Sequence, residues 1–244
     1  MNKNYESVYH NEEEKNWWFV ARRDMLLRFF EKYDVPKNAY ILDIGCAGGS
    51  FLIDLKNRGY NNLYALDYSA EAIELARPRG IENAFVMDGH NPEFSEEMFD
   101  VIISSDSLEH LERDEIALGN WYRILKKGGL GFILVPAYNF LWTAHDDINY
   151  HFRRYTRSGL VKKVRVAGFK AIFAGYNYCL LFLPTSVVRL AMKLFKRKVK
   201  NEGQILMLPT WVNNALITYQ KLENSIGRLV GFPFGVSVFV VVRK

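Results

Sequence analysis

Cysteine is almost absent. The 244 residues contain two, Cys46 and Cys179. One lies in a small-residue turn and the other in a distant apolar stretch, so a disulfide framework is not expected and a reducing cytoplasm is. No Cys/His spacing of a zinc site occurs. No run of about 18 uncharged apolar residues occurs either, so no membrane-spanning helix is expected. Met1 to Lys15 is polar and Glu-rich, unlike a secretory signal or an Arg-rich transit peptide. Repeats and low-complexity tracts are missing. Neither sign of charge dominates: 32 Lys and Arg face 27 Asp and Glu, a net +5 that mildly favours anionic partners. Apolar residues are plentiful at 49%, enough for a sizeable core. The length suits one domain with elaborations.

The most informative segment is Tyr40-Ile-Leu-Asp-Ile-Gly-Cys-Ala-Gly-Gly-Ser-Phe51. An apolar run reaches Asp43, small residues follow at 45, 47 and 49, and a helical pattern then runs to Arg58, stopped by Gly59. This is the strand, tight turn and helix that opens a dinucleotide-type α/β domain. Small residues let a ligand lie against bare backbone near the helix N-terminus. The nicotinamide fingerprint requires glycine at the first, third and sixth turn positions. Here those are Gly45, Ala47 and Ser50, a poor match.

Beyond this turn the chain alternates. Strands are expected at Ala39 to Ile44, Asn62 to Asp67, Asn83 to Asp88, Phe99 to Ser104 and Gly131 to Pro136. Helices are expected at Ser50 to Arg58, Ala70 to Arg77 and Arg113 to Leu125, with a turn at Gly128-Gly129. Runs such as Val101-Ile-Ile103 and Phe132-Ile-Leu-Val135 indicate strands buried on both faces of a parallel sheet. Asp67 ends the second strand about 20 residues past the turn, where an acid accepts from ribose hydroxyls; it would equally serve as a cap before Ser69. Asp88-Gly89 ends the third strand, as an adenine-edge partner or an ordinary turn.

Five pieces in order carry a resemblance: LDIGCAGG from Leu42, the acid Asp67, Asp88-Gly89, FDVIISSDSLEHL from Phe99, and LKKGGLGFILVP from Leu125. Residues 39 to 136 resemble the core of class I S-adenosylmethionine (SAM)-dependent methyltransferases, in the group of the type 11 and ubiquinone-biosynthesis small-molecule enzymes. Ala47 replaces the middle glycine, which Ala tolerates while its φ stays negative. The resemblance implies SAM as cofactor and S-adenosylhomocysteine as product. It implies that the turn of Gly45, Cys46, Ala47 and Gly49 carries the methionine part, oriented by Asp43. Asp67 would hold the ribose, Tyr68 flank the adenine, and Asp88 and Gly89 meet its edge. Ser104, Ser105 and Asp106 would line the floor near the sulfonium.

Resemblance and pattern together imply a doubly wound, seven-stranded, mainly parallel α/β sheet. Residues 1–35 would form a helical lid, 36–176 the SAM-binding core, 177–234 a helical insertion and 235–244 the final strand. Within the lid, Glu12 to Tyr33 reads as a helix with Trp18, Met25, Leu26 and Phe29 as its stripe. Arg22 in Trp17-Trp-Phe-Val-Ala-Arg-Arg23 is the candidate for the methionine carboxylate. Simple packing of an aromatic helix on the core is the competing reading.

After the fifth strand comes His145-Asp-Asp-Ile-Asn-Tyr-His-Phe-Arg-Arg-Tyr155. Loops at this sheet edge carry function. His145, His151 and His110 are candidate bases for a hydroxyl acceptor. Asp146, Arg153, Arg154 and Tyr155 are candidate acceptor-binding residues. A solvated, salt-bridged loop is the alternative. Thr156 is expected to cap a helix to about Ala167. Strands six and seven are expected at Phe169 to Tyr176 and Val236 to Val242.

The insertion between them is expected to hold two helices. Pro184 would open the first, with Val187, Val188, Ala191, Leu194 and Phe195 on one side and Arg189, Lys193, Lys196, Arg197 and Lys200 on the other. Pro209 to Val230 would be the second, striped by Trp211, Ala215, Leu216, Tyr219, Leu222 and Ile226. A helical cap over the site is the simpler reading; peripheral contact with an anionic membrane, or with a lipid-linked substrate, is the sharper one.

Asp106-x-x-Glu109-His110 has the spacing of the metal-binding Glu-x-x-Glu-His of some ubiquinone-pathway methyltransferases. No further ligand lies near it in sequence, so no metal is expected. The function expected is methyl transfer to a small-molecule or lipid- or saccharide-linked acceptor at oxygen, with no nucleic-acid partner. An NAD(P)-dependent oxidoreductase and a non-catalytic SAM-binding partner at a membrane are the alternatives. Oligomeric state is not legible.

Overall fold

The computed structural model describes residues 12–194 and 208–244. Asn16 caps the first described helix, α1 (Trp17–Lys32), its side chain accepting from Trp18 N. The helix thus starts at Trp17 and not at the expected Glu12. The core then runs β1 (Tyr40–Ile44), α2 (Ser50–Lys56), β2 (Asn62–Asp67), α3 (Ala70–Ala76), β3 (Asn83–Val86), β4 (Phe99–Ser105), α4 (Asp114–Ile124) and β5 (Leu125–Pro136). A short helix α5 (Ala144–Ile148), α6 (Arg157–Val166) and β6 (Lys170–Asn177) follow. The insertion supplies α7 (Cys179–Leu194) and α8 (Thr210–Val230), and β7 (Ser237–Arg243) ends the chain.

The strands form one sheet in the order β3-β2-β1-β4-β5-β7-β6. β1 to β5 pair in parallel, and β7 runs antiparallel to both β5 and β6. The chain leaves β1 towards one edge and resumes at β4 on its other side. That reversal opens a crevice beyond the C-terminal ends of β1 and β4, where Ile44 pairs with Ser104. Ligands of open α/β sheets bind at this point.

Alternate residues of each strand bury opposite ways. Ile41, Ile103 and Phe132 pack under α1 and α2, against Met25, Phe30 and Phe51. Leu42, Ile102 and Ile133 pack on the other face, against Trp121 of α4 and Leu160 of α6. Both faces are covered, which is why the strands read as unbroken apolar runs.

Two elements differ from the sequence pattern. β5 begins at Leu125, because Leu125 already pairs with Phe99 before the register slips and Leu130 pairs with Val101. Gly128, at φ 79°, takes up the slip inside the strand. Pro184 lies inside α7 and does not open it. The helix starts at Cys179 because the Glu223 carboxylate of α8 accepts from Cys179 N at 2.8 Å and from Leu180 N at 3.4 Å. That cap comes from 44 residues away, and no local signal announces it. Lys196, Arg197, Lys200 and Phe195 of the expected stripe lie outside the described residues.

Candidate functional site

The glycine turn is built by backbone geometry. Gly45 N and Cys46 N both donate to Leu66 O, at 2.7 and 3.1 Å, which folds the turn over the end of β2. Gly45 and Gly49 sit at φ 77° and 79°, a region open to glycine. A Cβ on Gly45 would lie 2.5 Å from the Ser107 Cβ. Ser107 in turn donates to Ile44 O at 2.7 Å and meets Ser104 Oγ at 2.6 Å. Ala47 is at φ 49°, against the expectation of a negative value. Its N–H donates to Asp67 Oδ2 at 2.9 Å, so a long-range hydrogen bond holds the strained residue in place.

Above the turn lies a cavity. Asp43, Gly45, Cys46, Ala47, Ser50 and Ser105 line it from the sheet side, and Phe19, Arg22 and Leu26 of α1 roof it, with Glu13 at its edge. Arg22 ion-pairs with Asp106, and Asp106 is itself at φ 52°. Glu13 accepts from Ser50 Oγ at 2.6 Å, Arg79 Nη1 at 3.0 Å and Gly48 N at 3.3 Å. Burial pushes the Asp43 carboxyl up to about 7, with Arg22 opposing and Asp67 and Glu13 adding to the rise. Ser105 Oγ is buried and has no hydrogen-bond partner among the described residues. Ser104 does not line the floor: it is fully buried, its hydroxyl spent on Ser107.

These residues fit the amino-acid end of SAM. That end is zwitterionic, and the cavity offers Arg22 to a carboxylate, Glu13 and Asp43 to an ammonium, and an unsatisfied Ser105 hydroxyl. Glu13 is a residue that sequence reasoning missed. It sits 35 positions before Gly48, outside any recognisable motif. At the other end, Asp67 also accepts from Ser69 N at 2.9 Å, but the cap of α3 is Ser69 itself, whose hydroxyl accepts from Ala72 N at 3.2 Å, so Asp67 is not the helix cap. A carboxylate has further lone pairs for a ribose. Asp88 accepts from His90 N and faces His90 Nδ1, both at 2.8 Å. A Cβ on Gly89 would meet Ile44 at 3.3 Å and Leu111 at 3.5 Å. Tyr68 is 83% exposed, so its ring is uncovered beside the expected adenine position.

Asp43 makes cofactor binding pH-dependent. It is about half protonated near neutral pH, and a bound cationic group favours its ionised form. Binding of S-adenosylhomocysteine or SAM is therefore expected to release protons near pH 7 and to tighten as pH rises from 6 towards 8. Calorimetry in buffers of different ionisation enthalpy reads this directly. Asp43→Asn should remove the buffer dependence.

The three histidines converge at the C-terminal ends of β4 and β5. His110, at the end of a 3-10 turn (Leu108–His110), stands edge-on to His151 with ring centroids 4.6 Å apart, and His145 lies 6.5 Å from His151. Burial pulls His110 down to about 3 and His145 to about 4, so both are neutral at physiological pH. His151 Nδ1 faces the Asp146 carboxylate at 2.8 Å. His151 and Arg154 hold Asp146 well below the usual carboxylate range against the effect of its burial. An ionised carboxylate only accepts, so Nδ1 donates to it and Nε2 is the ring nitrogen left for a ligand.

Glu109 completes the cluster. It is buried, its Oε2 has no partner among the described residues, and burial followed by the nearby Asp106 pushes its carboxyl well up. One ligand atom each from Glu109, His110 and His151 lies within 4.8 Å of the others. Two His and one carboxylate, with Asp146 holding the far ring nitrogen of His151, are a donor set that suits a divalent transition metal. Sequence spacing could not supply His151, 41 positions downstream.

The expected acceptor-binding residues are spent elsewhere. Arg154 is buried and forks onto Asp146, through Nε at 2.7 Å and Nη2 at 3.0 Å. Asp146 also accepts from Thr143 N at 2.8 Å and is fully buried. Arg153 pairs with Asp114 at 2.9 Å, and the Tyr155 hydroxyl donates to the same carboxylate at 2.9 Å. Asp146, Arg153, Arg154 and Tyr155 thus tie the loop to α4 and orient His151. A loop this dense in charge reads as a binding site from sequence, but its charges satisfy one another.

Comparison with known proteins agrees with this geometry. A family described as "Methyltransferase domain" matches residues 42–133. EEF1A lysine methyltransferase 2 of Homo sapiens is 27% identical over 148 residues, 54% of this chain and 61% of that protein. The protein of that name from Danio rerio is 33% identical over 99 residues, 38% of this chain and 42% of that one. Ubiquinone biosynthesis O-methyltransferase of Chelativorans sp. (strain BNC1) is 33% identical over 99 residues, 38% of each chain. The chain thus spans less than two thirds of these curated relatives. A SAM-dependent methyltransferase structure from Archaeoglobus fulgidus superposes with a TM-score of 0.62 at 17% identity, over 97% of this chain and 99% of that one. One from Thermotoga maritima, described as a possible histamine N-methyltransferase, gives 0.59 at 20% identity over all of both chains. The architecture is the Rossmann-like fold of these SAM-dependent methyltransferase structures. Residues 42–133 match the methyltransferase-domain model, and that match together with the fold implies SAM as the cofactor.

Proposed function

We propose that the protein transfers the methyl group of SAM to a hydroxyl of a small-molecule or lipid- or saccharide-linked acceptor. One observation carries the reading: His151, its Nδ1 facing the buried Asp146 carboxylate, stands in the loop after β5, beside His110 at the end of the turn that follows β4. SAM supplies an electrophilic methyl group on its sulfonium. The chain's own task is to bind, orient and take a proton. Glu13, Arg22 and Asp43 fix the amino-acid end. His151 Nε2 accepts the proton of the acceptor hydroxyl, and Asp146 stabilises the imidazolium that results. His110 and His145, kept neutral by burial, crowd no second positive charge against it.

Incubation with methyl-labelled SAM and candidate acceptors tests this. His151→Ala is expected to lower transfer by roughly 100-fold or more while S-adenosylhomocysteine affinity is unchanged. Wild-type turnover by this variant would remove His151 from the chemistry. The relatives named for lysine methylation make a protein lysine the competing acceptor, and labelled product on protein would favour it.

The Glu109–His110–His151 cluster favours a second reading, in which a divalent ion activates the acceptor oxygen. Chelation by EDTA, followed by restoration with zinc or manganese, separates the two. Activity indifferent to chelation leaves His151 as the base.

A further inference from the structure

Both insertion helices leave an apolar face turned away from the protein. On α7, Leu180, Leu183 and Val187 share one face, and each is about two-thirds exposed, at 68, 66 and 66%. The inward side is mixed: Leu181 and Phe182 pack towards Tyr178 and Val236, Ser186 is buried, Arg189 donates to Leu141 O and the exposed Lys193 to Phe140 O. On α8, Gln220, Glu223 and Asn224 are buried. Asn224 Nδ2 donates to Ala21 O and Asp24 Oδ2, both at 2.9 Å, fixing α8 on α1. Leu222, Leu229 and Val230 are 63, 70 and 71% exposed on the opposite side, and Trp211 near its start is 76% exposed. Of the α8 stripe named from the sequence, Trp211, Leu222 and Ile226 are exposed.

A helix in water presents the reverse arrangement. Contiguous exposed apolar surface marks a site of interaction. Charge says with what. Residues 179–230 hold eight Lys and Arg but only two acids, Glu202 and Glu223, and Glu223 is buried under α8. The insertion therefore carries +6 of a chain whose net charge is +5, so the rest of the molecule is slightly acidic. Four of the eight fall in Lys196-Arg-Lys-Val-Lys200. Apolar faces joined to concentrated positive charge fit an acidic phospholipid surface. No described helix is long and apolar enough to cross a membrane, so the helices would lie on it.

We propose that the insertion seats the protein on an anionic lipid bilayer, with the outer faces of α7 and α8 in the headgroup–acyl boundary. α7 leans on Phe140 and Leu141, the segment that leads into the histidine loop. Docking therefore brings that loop to the lipid surface, where an amphiphilic acceptor is concentrated. This last step rests on the methyl-transfer reading; the docking does not.

Flotation of the purified protein with vesicles tests it. Vesicles of mixed phosphatidylcholine and phosphatidylglycerol should carry the protein up the gradient, with binding that falls as salt rises. Pure phosphatidylcholine should carry far less. Combined Leu183→Glu, Leu222→Glu and Leu229→Glu should cut the bound fraction by about tenfold or more. Its melting temperature and its S-adenosylhomocysteine affinity should match wild type, since all three side chains are exposed. Absence of binding to either vesicle, or undiminished binding by the variant, overturns the proposal. So does light scattering that shows a dimer converted to monomer by the same substitutions without vesicle binding, because a second copy would then cover the face. Loss of methyl transfer with vesicle binding intact would refute the enzyme reading alone.

Discussion

Replacing Arg154 with alanine is expected to destabilise the protein by about 3–5 kcal/mol, because it strands a buried carboxylate. Arg154 supplies two of the charged hydrogen bonds to Asp146, through Nε and Nη2, and Asp146 is fully buried. The melting temperature should fall by roughly 10 °C. A double-mutant cycle makes the point sharper. With Arg154 already gone, Asp146→Ala should cost much less than it does in the wild-type background, because the two share one interaction. An Arg154 that bound the acceptor would behave differently: the melting temperature would stay and only the KM for the acceptor would rise. Thermal denaturation of the single and double variants decides between these outcomes.

Gly45→Ala is expected to lower S-adenosylhomocysteine affinity by at least about tenfold while the fold survives. Two effects combine. The residue sits at φ 77°, which costs a side-chain-bearing residue about 1–3 kcal/mol. The new methyl would also stand 2.5 Å from the Ser107 Cβ, and Ser107 cannot retreat without losing its bonds to Ile44 O and Ser104. The turn must therefore move, and it is the turn that lines the cavity. The variant's melting temperature should drop modestly, while calorimetry shows the larger loss in binding. Wild-type affinity in this variant would mean that the ligand does not lie against the turn.

Legibility in the sequence tracked locality. Strands buried on both faces announce themselves as apolar runs, so β1, β2 and β4 were readable nearly to the residue. The glycine turn was readable because its backbone demands small side chains over five positions. Features that depend on partners distant in sequence were not readable. Glu13 reaches Gly48 and Ser50 through tertiary folding. Ala47 tolerates a positive φ because Asp67, 20 residues on, holds its N–H. His151 was visible as a candidate, but its partners Asp146 and His110 were not visible as one cluster. The charged loop misled because composition cannot tell charges aimed at a ligand from charges aimed at each other. For the insertion, an amphipathic stripe shows which residues share a face but not which way that face turns; the buried Gln220, Glu223 and Asn224 of α8 show the direction only in the folded structure.

The central claim is that the crevice beyond β1 and β4 binds SAM. Titration calorimetry with S-adenosylhomocysteine, SAM and NADH on the wild-type protein and on Asp67→Ala tests it most directly. The account predicts micromolar binding of both sulfur ligands, none of NADH, and at least about tenfold weaker binding to Asp67→Ala, which loses both the ribose acceptor and the support of Ala47. Binding of NADH in preference to SAM, or equal SAM affinity in the two proteins, would contradict it.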